Sequence, residues 1–115
     1  MIGLDFLSAF GNWVNIPVMF DSGADVSFFG KSFADRIGIT EIRNGAAEKL
    51  TVANNAEIMA YKHRLQCKVP GYGKTIFVEA FFAPEIYRQE LLGRKDFLRD
   101  FGVILDSHNI YLFIQ

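Results

Sequence analysis

No stretch of this chain stays regular for long, and the density of interruption limits what it can fold into. "IGLDFL" alternates, with Ile2, Leu4 and Phe6 on one side of a strand, and "FGN" at 10–12 reads as a turn. "WVNIPVMF" is a second strand, in which Pro17 demands an edge position or a bulge because it has no amide to donate. "KSFADRIG" places Phe33, Ala34 and Ile37 at helical spacing and stops at Gly38, a short helix. Residues 43–49, "RNGAAEK", read as a polar loop. "LTVANNAEIMAYKHRLQCKV" gives two β-like runs hinged at Asn54 and Asn55, since Asn tolerates positive φ better than most residues. "PGYG" is a turn and "KTIFVEAFF" a strand. "RKDFLRDFG" aligns Phe97, Leu98 and Phe101 on one helical face, with Gly102 ending it. "VILDSHNIYLFIQ" closes the chain as a strand, a turn at Ser107–Asn109 and a last strand. The sum is a mainly β chain with two short helices, its sheet closed into a barrel or folded into a sandwich.

At 115 residues the chain is sized for one domain, residues 1–115, and shows no repeats or linkers. Half of its residues are hydrophobic, and 12 Phe, 4 Tyr and 1 Trp are many for this length. Two readings of that surplus stand: ordinary core, or apolar surface buried against a second subunit. Net charge is −1 with scattered Lys and Arg, which points away from nucleic acid and anionic membranes. Cys67 is alone, so no internal disulfide and no cysteine-based metal site is expected. Asp5 stands where a signal peptide carries Lys or Arg, and the run Phe6–Phe20 is short of the roughly 20 apolar residues of a spanning helix. The expectation is a soluble, cytoplasmic protein.

The chemistry centres on "VMFDSGADVSFFG", residues 18–30, where an apolar run ends on a bare acid, Asp21, and turns through Ser22 and Gly23 into another apolar run. An acid at the edge of a core costs free energy unless it is paired or has a task. The plain alternative is a turn acid that ends a strand, because Asp is common ahead of Gly. About seventy residues on stands a second segment, "ELLGRKDFLRDFGVILD". Together, in this order, with a hairpin between them and a strand at each terminus, the two segments resemble the active-site turn and the apolar–apolar–Gly segment of retropepsin-like aspartic proteases. The resemblance spans nearly the whole chain.

It implies a retropepsin-like closed barrel that works as a homodimer. The chain has only one Asp-Ser/Thr-Gly turn, and 115 residues are too few for two lobes. A twofold axis would place one Asp21 from each subunit side by side. Two carboxyls that close share one proton, so one acts as base and the other as acid upon a water. Ser22 would bond across to the partner turn, Gly23 would let backbone amides approach the carboxylates, and Ala24 would lie beside the bound peptide. Asp25 and Arg94 match a supporting ion pair of the family; the bland reading is two solvated charges. The hairpin tip Ala53, Asn54, Asn55 and Ala56 would be a flap closing over substrate. It departs from the Gly-rich retroviral pattern and suits an ordinary hairpin equally well. The terminal strands, "MIGLDFL" and "IYLFIQ", would interleave into an intersubunit sheet.

Other residues suggest less. His63, between Lys62 and Arg64, is expected to be solvated, and His108 to sit in a turn. Neither is placed by sequence to activate Ser22 or to complete a metal site, so no metal or other cofactor is expected. Cys67 reads as a small buried strand residue, and "GYG" at 71–73 as a turn rather than a phosphate loop. The sequence-level reading is a homodimeric aspartic endopeptidase, a hydrolase of peptide or protein substrates. Its rival is a non-catalytic dimeric peptide- or protein-binding module on the same fold.

Overall fold

The computed structural model describes residues 2–21, 24–51, 55–71, 73–93, 101–105 and 110–114, the last two segments by backbone alone. Among the described residues, nine strands and one short helix follow in the order β1 (Ile2–Leu7), β2 (Trp13–Phe20), β3 (Ser27–Gly30), α1 (Lys31–Arg36), β4 (Ala46–Thr51), β5 (Glu57–Lys68), β6 (Thr75–Ala83), β7 (Glu90–Leu92), β8 (Phe101–Leu105) and β9 (Ile110–Ile114). A 3-10 turn at Ile42–Asn44 precedes β4.

The sheet order is β1-β2-β7-β3-β6-β5-β4, and β1 also pairs with β5. That extra pairing bends the sheet into a closed six-strand barrel, with β4 attached outside the ring to β5. The closing seam is brief: only Asp5↔Lys68 and Phe6↔Cys67 are in register. Most neighbours are antiparallel, but β2–β7 and β3–β6 run parallel. Parallel neighbours need a crossover, and α1 with its flanking loops lies on the path that leads away from β3.

Alternation along the strands fills the barrel. Leu4, Phe6, Ile16, Val18, Leu65, Cys67, Ile76 and Val78 point inward and are buried. Phe33 and Ala34 plug the barrel from α1, where Phe33 stacks on Phe29 at 3.9 Å between ring centres and meets Phe6 edge-on at 5.0 Å. Gly38, at φ +79°, ends the helical stretch as its sequence predicts. A second, smaller cluster of Phe28, Ala60, Phe81 and Ala83 lies apart from this core, against Val26, Leu50, Ile58, Ile86 and Leu91. Much of the aromatic surplus is therefore ordinary core.

Pro17 faces Gly3 of β1, while β7 takes up the other side of β2 only from Met19 onward, so Pro17 sits where that side has no strand partner. Gly11 and Gly71 adopt positive φ in the turns expected at 10–12 and 70–73. The β4–β5 hairpin forms as expected, with Asn55 at φ +59°.

Two expectations are corrected. Residues 43–49 are not a loop: 46–49 are strand, although every side chain there is exposed. An edge strand held by backbone bonds to β5 needs no apolar alternation, which is why the polar run misleads. Phe101 and Gly102 do not end a helix but open β8; residues 94–100 lie outside the described residues. Within its own chain β1 pairs with β2 along its whole length and with β5 only at Asp5 and Phe6. β8 and β9 form a separate two-stranded sheet.

Candidate functional site

Asp21 marks the point where β2 runs out. Ile16 and Val18 point inward, β7 takes up Met19 and Phe20 from the parallel side, and the Asp21 amide donates to the Leu92 carbonyl at 3.0 Å. The amide of Ala24 then donates to the Asp21 carbonyl at 3.1 Å and closes a tight turn. Backbone bonds on both sides fix the residue, and its side chain is half-buried.

The two segments singled out in the sequence meet here. Gly93 donates its amide to the buried hydroxyl of Ser27 at 3.1 Å. Gly93 must be glycine for a packing reason: a Cβ would lie 2.4 Å from the backbone of Val26. The chain leaving the Asp21 turn and the chain leaving β7 are thus pressed together backbone to backbone. The 84–89 loop is tied in as well, since Gly30, Lys31 and Ser32 donate their amides to Gln89, Ile86 and Tyr87.

A cleft of about 530 Å³ opens beside the turn. Asp21, Ala24 and Asp25 line it together with Leu50 and Thr51, at the end of β4. Val26, Phe28, Ile86 and Leu91, members of or neighbours to the smaller hydrophobic cluster, make most of the remaining lining apolar. Two acids therefore share a largely apolar cleft with the end of the hairpin arm.

Of the residues expected at the site, Asp21, Ala24 and Asp25 are brought together on this cleft. Ser22, Gly23, Ala53, Asn54 and Arg94 lie outside the described residues, and with them the Asp25–Arg94 pair. Asn55 and Ala56 are exposed on the arm that carries Leu50 and Thr51. Ile86 and Gln89 were not legible beforehand, because the "PEIYRQ" stretch has no period that would give it a direction. Ser27 was missed too, as a lone serine between apolar residues offers no sign of its acceptor role.

His63 is corrected. It is half-buried rather than solvated, with Nε2 2.7 Å from the Ile42 carbonyl and its ring edge-on to Phe82. His108 lies outside the described residues. Cys67 is buried as expected, and burial, with Asp5 nearby, pushes its thiol pKa up to about 12. Among the described residues, no cluster of three or more His, Cys, Asp or Glu could hold a metal, and no helix is long and apolar enough to cross a membrane.

Neither a scan against protein-family models nor a search of curated proteins finds a match for this chain.

Proposed function

We propose that the chain is a retropepsin-like aspartic endopeptidase that works as a homodimer, with Asp21 from each protomer forming the catalytic pair. One observation carries the reading: Asp21 ends a strand at the edge of an apolar cleft, and its turn is bonded to the Leu92–Gly93 segment. The chemistry needs an acid held by its backbone, open on one side to an extended substrate. One Asp21 carboxylate takes a proton from water, and the hydroxide attacks the peptide carbonyl. The partner's carboxyl gives its proton to the carbonyl oxygen. Collapse of the tetrahedral diol expels the amine, which leaves with a proton from the pair. No step calls for a metal or an organic cofactor.

Support for the dimer comes from the C-terminal strands. "FGVIL" and "IYLFI" pair with each other as a two-stranded sheet and are apolar in both alternating sets. A hairpin of that composition is marginal in water by itself and gains most from a second copy of the same sheet. The arm ending in Leu50 and Thr51 would cover the substrate.

The test is cleavage of a mixed peptide library from acid to neutral pH, by wild type and Asp21→Asn, with sedimentation to read assembly. Cleavage by the wild-type dimer alone is expected. Activity that survives the substitution removes Asp21 from the chemistry. Peptide binding without cleavage in both proteins favours the non-catalytic module.

A further inference from the structure

β5 is longer than either neighbour on its outer edge. β6 covers one edge from Tyr61 to Lys68. On the other, β4 pairs with Glu57–Lys62 and β1 with Cys67 and Lys68. Between them, residues 63–66 have no strand partner on that side among the described residues. The gap is about 13 Å long at roughly 3.3 Å per residue, and alternate residues in it aim their N–H and C=O groups outward. An open edge of this kind is a template for another strand.

A groove of about 300 Å³ lies along the gap, well apart in sequence and in lining from the Asp21 cleft. Leu7, Ala9, Ile37, Ile39 and Leu65 line it, and Phe10, 82% exposed, follows Ala9 at its lip. Its charge is one-sided. Arg64 lines it and no acid does; His63, also in the lining, is engaged through Nε2 with the Ile42 carbonyl at 2.7 Å. The Arg64 guanidinium lies over the Phe77 ring at 4.0 Å, a cation–π contact that restrains it beside the groove. Glu79, opposite Arg64 in register, is ion-paired with Lys62 at 3.4 Å.

We propose that this gap is a docking site for an extended acidic–apolar segment of a partner protein, which adds to β5 as a short strand. Strand alternation dictates the pattern. Leu65 points into the molecule and Arg64 out of it, so an added strand places apolar residues into the groove and an Asp or Glu beside Arg64. Backbone bonds to residues 63–66 supply affinity, and the alternating side chains supply selection.

The probe is the capped peptide acetyl-Thr-Ile-Glu-Val-Thr-amide, titrated into isotope-labelled full-length Asp21→Asn protein so that cleavage cannot consume it. Saturable amide shifts at residues 63–66 and 7–9 are expected. Arg64→Glu is expected to weaken binding at least about tenfold, and the peptide with Lys in place of Glu to recover it. Shifts confined to residues 21–26 and 50–51 would overturn the proposal by assigning the peptide to the cleft. Equal affinity in Arg64→Glu, or no binding at millimolar peptide, would overturn it too. So would protection from exchange, in the protein alone, of those amides among 63–66 that aim away from β6, since a second copy or the chain itself would then cover the edge. None of these readouts depends on catalysis.

Discussion

The amide of Gly93 donates to the buried hydroxyl of Ser27, 66 positions away in sequence, at 3.1 Å. Through that bond the strand that follows the Asp21 turn is locked to the segment that follows β7. Ser27→Ala would leave a buried N–H without an acceptor, which costs about 1–3 kcal/mol. The expected result is a lower denaturant midpoint with an unchanged m-value, measured by urea unfolding. Gly93→Ala is expected to cost more, because its Cβ meets backbone, which cannot swing aside.

Asp21→Asn is isosteric and leaves in place the backbone bonds of the turn, from the Asp21 amide to Leu92 and from the Ala24 amide to Asp21. The folded state is therefore expected to persist. Peptide cleavage is expected to fall by about a hundredfold or more, the scale of a lost general acid–base group. Paired thermal melts and cleavage assays separate the two effects.

Burial in the barrel wall, with the Asp5 carboxylate nearby, pushes the Cys67 thiol pKa up to about 12. A raised pKa means that the folded state holds its proton longer than the unfolded chain. The contribution to stability is thus complete below pH 9 and is lost as pH rises toward 12. Two results are expected: negligible reaction of the native protein with thiol reagents at neutral pH, and a loss of unfolding free energy across pH 9–12 that Cys67→Ala diminishes.

Phe33 joins α1 to the barrel through Phe29 and Phe6 and is fully buried. Phe33→Ala is expected to cost about 3–5 kcal/mol by leaving a cavity between helix and strands. Calorimetry would register it as a large drop in melting temperature.

His63 fastens the 3-10 turn at Ile42 to β5, and Gly45 packs so closely that a Cβ would meet both Lys62 and the imidazole. His63→Ala is expected to speed hydrogen exchange in β4, the strand that ends in Leu50 and Thr51 at the cleft. Exchange in β1 and β2 should stay as it is, because their bonds do not pass through this contact.

Much of the architecture was readable in one dimension. β2, β6 and the β4–β5 hairpin follow from apolar alternation bounded by turn residues, and α1 from Phe33, Ala34 and Ile37 at helical spacing, because these signals are local and each residue declares which way it faces. The turn at Asp21 could be found for the same reason. What local pattern could not give was partnership. Nothing in "AAEK" says that an exposed run will be a strand, since its stability comes from the backbone of β5. His63 looked solvated between two charged residues, although an inward-facing position in the strand was as available to it as an outward one. Closure of the barrel through two residue pairs, the meeting of Ser27 with Gly93, and the cleft shared by Asp21 and Leu50 all join segments far apart along the chain. Those contacts depend on packing and hydrogen-bond satisfaction in three dimensions, which only the tertiary structure decides.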